Sequence, residues 1–227
     1  MRTYSSSSPQ SYNRERFPVH RLLSRRRWRS IARPSPWSQR RICYRRRVDE
    51  LFDFLVLIAE RLERAHIPYM LSGSVALSVY VQPRMTRDVD FVIEIEEAQV
   101  ELFETDCYID RESVLEAVRT QGIFNIIHEA WIVKADFVVR KDQPYRRTEF
   151  GRRRTVSVGG RAFSIVTAED LLLSKLLWAQ TSRSELQLGD VRNLILSEKT
   201  LDWAYIEPWA QKLGVVDLLN EVRSENV

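Results

Sequence analysis

The chain has 227 residues, 44% of them apolar, which suffices for one domain of ordinary size with a buried core. Its net charge of +4 conceals a division, because residues 1–47 carry fourteen arginines and one acid, Glu15, and so leave a net charge of −9 for residues 48–227. The basic balance therefore belongs to the first segment and gives no ground for nucleic-acid binding by the remainder.

The apolar runs and the cysteines predict a cytoplasmic protein. The longest apolar run, residues 54–59, is far too short to span a membrane. No apolar signal core follows the N-terminal arginines. The two cysteines, Cys43 and Cys107, lack metal-ligand spacing, so we expect them to be reduced thiols and the chain to be neither membrane-inserted nor secreted.

Residues 1–47 are rich in Ser and Arg and show no sustained apolar period, which predicts an extension that does not fold alone. Three interpretations stay open. Arginines interleaved with Trp28, Trp37 and Tyr44 are typical of a nucleic-acid-binding arm. An acid-poor Arg/Ser segment also fits a transit peptide. The abrupt change to a globular pattern at Val48 fits translated upstream sequence that is not part of the native protein.

The first predicted elements are a helix and a strand–helix–strand unit. Residues 48–66 place apolar side chains at helical spacing, and Pro68 ends that pattern. A strand over residues 69–71, a helix over 73–81 and a strand over 88–95 follow, with Pro83 ending the helix between the two strands. This succession within a short stretch predicts a small mixed sheet.

Gly73 and Ser74 lie where the second helix begins. The first N–H groups of a helix have no partner within the helix, and its dipole favours negative charge there. A phosphate group is the expected ligand of such a helix start.

Asp88 and Asp90 interrupt a strand that is otherwise rich in Val, Ile and Phe. Alternation along the strand puts both carboxylates on one face and Val89 and Phe91 on the other. Two neighbouring carboxylates can share a hard cation such as Mg²⁺.

The middle of the chain repeats this feature. Residues 96–104 and 111–120 are predicted helices, and residues 123–128 and 131–139 are predicted strands. In the second of these strands Asp136 shares its face with Lys134, while Ala135 and Phe137 point the other way. Asp136 either joins a metal site or pairs with Lys134 at a strand end.

Residues 145–154 are basic, and we predict a solvated loop there, with contact to a phosphate backbone as the alternative. Residues 155–158 and 161–165 flank two glycines, which predicts a hairpin with a tight turn.

Helices are predicted to complete the chain. Thr167 is the expected N-cap of a helix that runs to about residue 181 and carries Lys175 beside a leucine stripe. A Ser/Arg-rich turn leads to the segment LGDVRNLI, in which we expect Asp190 to open a helix. Two short packing helices, over residues 203–213 and 215–222, follow.

The spacing of these motifs resembles the polymerase-β-type nucleotidyltransferase superfamily. The shared pattern is Gly73-Ser74, thirteen intervening residues and Asp88-x-Asp90, with Arg84-x-Thr86 leading into the strand. The resemblance is closest to minimal bacterial members, among them antibiotic-modifying enzymes and toxins of the abortive-infection and toxin–antitoxin type. Those toxins also follow the sheet with a helix carrying Glu-Asp-Leu and a lysine, and then a helix with an aspartate.

The resemblance implies a role for each matched residue. Asp88, Asp90 and Asp136 would hold two Mg²⁺ ions, with Asp136 as third metal ligand on the neighbouring strand. Gly73 and Ser74 would bind the phosphates of a nucleoside triphosphate (NTP). Arg84 and Lys175 would add positive charge at those phosphates, and Asp190 would support catalysis at the edge of the cleft.

We therefore predict an α/β (α+β) fold with a small mixed sheet, flanking helices and a C-terminal helical portion. Residues 48–166 would form the nucleotidyltransferase core and residues 167–227 the helical portion packed on it. The expected activity is transfer of a nucleoside monophosphate to a hydroxyl acceptor, either RNA such as tRNA or a protein, in a toxin–antitoxin context. The alternatives are transfer to an aminoglycoside or lincosamide, and a non-catalytic antitoxin or binding module of the same fold.

Overall fold

A computed structural model describes residues 36–84 and 86–224 of the protein, with side chains described from Asp49 onward. Most of the predicted N-terminal extension, residues 1–35, lies outside the described residues. Within the described chain no helix is both long enough and apolar enough to cross a membrane.

The described residues form one mixed sheet, as predicted, with seven strands in the order β3-β4-β5-β2-β1-β7-β6, of which β3 was not predicted. The pairs β2/β5 and β1/β7 are parallel, and the other four pairs are antiparallel. The strands are β1 (Tyr69–Ser72), β2 (Asp88–Ile93), β3 (Cys107–Tyr108), β4 (Ile123–His128), β5 (Lys134–Val139), β6 (Arg154–Val158) and β7 (Arg161–Ile165).

Helices flank this sheet and make up the C-terminal part of the chain. A 3-10 helix, Glu97–Phe103, lies in the segment 96–104 for which the sequence predicted a helix. The α-helices are α1 (Pro36–Arg64), α2 (Gly73–Tyr80), α3 (Arg111–Thr120), α4 (Pro144–Gly151), α5 (Ala168–Ser182), α6 (Glu185–Ser197), α7 (Trp203–Lys212) and α8 (Val216–Ser224).

An aromatic stack holds the middle of the sheet in register. Phe137 of β5 stacks on Phe91 of β2, with ring centroids 5.2 Å apart, and on Phe124 of β4, with centroids 4.9 Å apart. Phe91 and Phe137 are fully buried. Truncation of such a side chain to Ala typically costs ~3–5 kcal/mol. A slip of one residue would turn these rings outward and the neighbouring aspartates into the core, so the stack fixes where those aspartates point.

Three sequence expectations about helices were wrong. Residues 145–154 are not a loop, because most of them lie in α4, which begins at Pro144 and buries Tyr145, Glu149 and Phe150. The first helix begins at Pro36, before the expected Val48, and Arg has a high helix propensity. Asp190 does not open a helix, since α6 already begins at Glu185.

Polar groups join α4 to α5 and α7. Ser174 Oγ bonds Glu149, which also accepts from Arg146 Nη1 at 2.7 Å. The fully buried Asp170 accepts from Tyr205 Oη at 2.6 Å and from Arg152 Nε at 3.0 Å. These buried carboxylates have hydrogen-bond partners, as buried charges require, and they anchor the C-terminal helices to the segment after β5.

Candidate functional site

The three sequence-predicted acids lie together on one side of the sheet. Strands β2 and β5 are parallel and in register, so that Asp90 pairs with Asp136 and Asp88 pairs with Lys134. Side chains paired in this way project from the same face of a sheet. The opposite face carries the buried Val89 and Phe91, which confirms the alternation predicted for β2.

Gly73 brings the start of α2 against Asp90. Strand β1 ends at Ser72, which pairs with Asp90 across the antiparallel β1/β2 ladder, and α2 follows at once. Gly73 has φ of +59°, and a Cβ atom added there would lie 1.9 Å from Asp90 Oδ2. Only glycine combines this left-handed conformation with the absence of a side chain, so the position requires it for two reasons.

The Asp90 carboxyl has an unusual environment. Burial raises its pKa above the ordinary value, and the negative charge of Asp136 raises it further, while a hydrogen bond from the Ser74 backbone N–H opposes both. Two neighbouring carboxylates repel one another unless they share a cation or a proton.

Lys134 supplies positive charge to this acid cluster. Its Nζ atom lies 2.7 Å from Asp136 Oδ2 and 3.7 Å from Asp88 Oδ2. The hydrogen bond to Asp136 is the largest effect that raises the Lys134 pKa. The sequence left two interpretations of Asp136 open, a place in a metal site or an ion pair with Lys134. In the structure Asp136 lies beside Asp90 and also pairs with Lys134.

A second, mainly cationic cluster lies beside the first. Arg84 donates to both carboxylate oxygens of Asp190, at 3.1 and 3.0 Å, and to Ser74 Oγ. Lys175 Nζ donates to Asp190 Oδ2 at 2.8 Å and to Gln187 Oε1 at 3.0 Å. Two cations share one carboxylate, so the cluster keeps a net positive charge next to the helix start at Ser74.

The pKa shifts in this second cluster follow from burial and pairing. Burial would raise the pKa of Asp190, but the hydrogen bonds from Arg84 and Lys175 outweigh it, and the pKa lies below its ordinary value. Burial lowers the pKa of Lys175, and its pairing with Asp190 offsets only part of that effect. The positive charge of Lys175 also acts on Asp90, so the two clusters are electrostatically coupled.

The donor chemistry of the acid cluster fits a hard divalent cation. Mg²⁺ prefers a few carboxylates together with phosphate oxygens and water, and Asp88, Asp90 and Asp136 offer oxygen donors on one face. The crowding of Asp90 by Asp136 indicates a place where a cation would relieve repulsion. Among residues 36–84 and 86–224, however, no three acidic, His or Cys side chains are gathered tightly enough to hold a metal ion as they stand.

All eight residues singled out in the sequence converge on this part of the fold. Two partners were not foreseen. Gln187 bonds Lys175 across the α5/α6 turn, and nothing in the sequence marked it. Asn125 of β4 pairs with Asp136 from the other side of β5. Only the pairing order of the strands reveals such a neighbour.

Two shallow clefts lie elsewhere on the molecule. One of about 540 Å³ runs along α3, and one of about 490 Å³ is lined by Glu94 and Arg140 among others. The second lies at the far ends of β2 and β5 from Asp88 and Asp136. Neither contains a residue of the two clusters.

No family model and no curated protein matches the chain. Several solved structures are similar to it. The antibiotic-resistance factor ANT(2'')-Ia has 13% identity and a TM-score of 0.48, with 76% of this chain and 96% of that chain covered. An antigenic nucleotidyltransferase-like protein from Paracoccidioides brasiliensis has 20% identity and a TM-score of 0.41, with coverages of 65% and 74%.

The lincosamide antibiotic adenylyltransferase LnuA, solved with lincomycin, has 16% identity and a TM-score of 0.40, with 64% of this chain and 94% of that chain covered. At these identities and scores the matches assign no function to this chain. The residues of the two clusters are therefore the basis for a functional proposal.

Proposed function

We propose that the protein is a Mg²⁺-dependent nucleotidyltransferase that moves a nucleoside monophosphate from an NTP to a hydroxyl acceptor. One observation carries the proposal: Asp90 and Asp136 share a register position on parallel strands, beside Asp88 and against the glycine that begins α2. If these acids were only solvent-exposed side chains at a strand end, the neighbouring helix would not need to begin with a glycine.

In the proposed reaction the acceptor oxygen attacks the α-phosphorus of the NTP. A new P–O bond forms, the bond between the α-phosphorus and the bridging oxygen to the β-phosphorus breaks, and pyrophosphate leaves with that electron pair. Mg²⁺ held by Asp88, Asp90 and Asp136 would neutralise phosphate charge and polarise the α-phosphate. The acceptor loses its hydroxyl proton, and Asp136 is the carboxylate that we assign to receive it.

The second cluster would hold the triphosphate. The side chain of Arg84 is 31% exposed and adjoins the start of α2, so it can donate to a phosphate while it stays on Asp190. The side chain of Lys175 is only 4% exposed and is committed to Asp190. We therefore assign the direct phosphate contact to Arg84 and treat Asp190 and Lys175 as positioning residues that hold it.

The acceptor is better sought among small molecules or proteins than among RNAs. Each arginine of residues 145–154 is engaged within the chain. Arg146, Arg147 and Arg152 pair with acids, Arg153 donates to a backbone carbonyl, and Arg154 lies over the ring of Tyr80. Three of these five arginines are paired with acids, so the segment offers less positive charge to a phosphate backbone than its sequence suggests.

Incubation of the purified protein with α-labelled NTPs and Mg²⁺ tests the proposal. Aminoglycosides, lincosamides, total tRNA and candidate partner proteins are supplied separately as acceptors. Transfer of label to a drug would identify an antibiotic-modifying enzyme, and label on tRNA or a protein would identify a toxin-type activity. If the protein neither transfers label to any acceptor nor binds an NTP, the proposal is overturned and the antitoxin or binding module is favoured.

A matched pair of variants ties any activity to the site. Asp136→Asn should abolish transfer. Asp217→Asn changes an exposed acid in the first turn of α8 and should leave transfer unchanged. Equal activity in both variants would show that the labelled product arises elsewhere.

A further inference from the structure

Lys134 stands inside the acid cluster because of strand register. It pairs with Asp88 across β2/β5, and it precedes Asp136 by two residues on the same face of β5. Asp88, Asp90, Lys134 and Asp136 thus form a square of four side chains, three acidic and one basic. The Lys134 ammonium group bridges the two strands by reaching both Asp136 and Asp88.

We propose that Lys134 is a resident cation of the acid cluster, which neutralises Asp88 and Asp136 in the metal-free protein and competes with a divalent cation for them. This inference rests on the proposed function, which requires a divalent cation at these acids. Lys134 then acts as a positioning residue that sets how tightly the free protein binds metal.

The competition follows from the partners that the groups share. The oxygen of Asp136 that lies 2.7 Å from Lys134 Nζ cannot bind a cation in that position while the ammonium stays there. A divalent ion that binds this oxygen must displace the ammonium group or lie beside its positive charge. Since Lys134 is about one-third exposed, its flexible stem can withdraw toward solvent when the contact breaks.

An ordinary surface ion pair would not predict this competition. Such a pair joins one cation to one carboxylate, as Arg223 and Glu207 do on α8 and α7. Lys134 instead contacts two acids from different strands. Its removal should leave three acids with mutual repulsion that only a cation or a proton relieves.

Binding of Mn²⁺ to the metal-free full-length protein, measured by electron paramagnetic resonance without nucleotide, tests the inference. Lys134→Met keeps the length of the side chain and removes the charge. We expect it to bind Mn²⁺ roughly three- to tenfold more tightly than wild type, the range expected for loss of up to two partly exposed ion pairs. Its Tm without metal should be lower, and Mn²⁺ should raise that Tm by more than in wild type.

Two controls separate charge from position. Lys134→Arg keeps the cation and should not tighten binding. Lys141→Met removes an exposed lysine beyond the other end of β5 and should bind Mn²⁺ as wild type does. Asp136→Asn should weaken binding in wild type and in the Lys134→Met background, which would place the bound ion at the acid cluster.

Each outcome decides one question. If Lys134→Met binds Mn²⁺ no more tightly than wild type, or if neither protein binds it, the inference about Lys134 is overturned. If Lys134→Met binds more tightly but no acceptor is ever labelled, Lys134 is the resident cation and the proposed transferase function fails instead. If transfer occurs and Lys134→Met binds Mn²⁺ with the affinity of wild type, the proposed transferase function stands and the inference about Lys134 fails.

Discussion

Asp90 and Asp136 lie on the same face of the sheet, at one register position of the parallel strands β2 and β5. Burial and the charge of Asp136 raise the pKa of Asp90, so the ionised carboxylate costs the folded state free energy at neutral pH. A site that keeps such a carboxylate sacrifices stability, which is expected where charge serves binding or catalysis.

The first prediction concerns Asp90→Asn. We expect transfer to fall by about two orders of magnitude or more, because the variant would lose one of the three carboxylates proposed to hold the cation. The free energy of unfolding at pH 7 should not fall. A carboxyl whose folded pKa is raised stabilises the fold fully below its unfolded pKa, and this contribution is lost as the pH rises through the folded pKa. The variant should therefore gain most over wild type well above the ordinary value of 3.8. Urea denaturation at pH 4 and pH 7, beside the transfer assay, measures both effects.

The second prediction uses two glycines with positive φ. Gly73→Ala places a Cβ atom against Asp90, whereas Gly160→Ala meets nothing within 4 Å at φ of +85°. The second substitution therefore isolates the conformational cost, on the order of 1–2 kcal/mol. We expect Gly73→Ala to lose about 1–3 kcal/mol more, the usual cost of overpacking, and to lose transfer. Equal losses of stability in thermal melts would show that the Gly73–Asp90 approach is not tight.

The third prediction concerns Asp190→Asn. It leaves the buried Lys175 without its carboxylate and removes the anchor of Arg84, so we expect a loss of about 3–5 kcal/mol at pH 7. Breaking the exposed pair with Glu207→Gln is the control and should cost less than about 1 kcal/mol.

The sign of the pH effect follows from Lys175. Its pKa is lowered by burial and is held up in part by Asp190, and the variant removes that support. Above the folded pKa of a lysine the unfolded chain binds more protons, so stability rises with pH toward the ordinary value of 10.5. The variant should regain stability between pH 7 and pH 10 more steeply than wild type, and parallel curves would contradict this account.

The local pattern of β2 was predictable because strand alternation involves only neighbouring residues. Asp88 and Asp90 fall on one face and Val89 and Phe91 on the other, as predicted, and α3 and β4 have the predicted bounds. In contrast, the pairing of Asp88 with Lys134 joins residues 46 positions apart. No local period encodes it, and it appears only when β5 docks beside β2.

Helix α4 could not be predicted for a related reason. Tyr145 and Phe150 are its buried large apolar residues, and their spacing gives no apolar stripe along a helix. Helix α4 also buries Glu149, which bonds Arg146 within the helix and Ser174, 25 residues further along the chain. In the sequence, an acid that is buried with a hydrogen bond to a distant hydroxyl cannot be distinguished from a solvent-exposed acid.

The last prediction concerns backbone strain at Ile132, in the turn between β4 and β5. Its φ is +54° and its side chain is 75% exposed, although a β-branched residue rarely adopts this conformation. Its N–H donates to the His128 carbonyl at 2.8 Å, so the turn holds the residue in place. Ile132→Asn should relieve the strain and raise the free energy of unfolding by about 0.5–1 kcal/mol, because Asn tolerates the left-handed region.

Ile123→Asn is the matched control for that substitution. Ile123 is also exposed, at 52%, but it lies in β4 with ordinary strand geometry. It should lose stability, because Asn is disfavoured in strands. Chemical denaturation of both variants separates loss of an exposed apolar side chain from relief of strain. A gain at Ile123, or a loss at Ile132 equal to that at Ile123, would mean that the turn imposes no strain on Ile132.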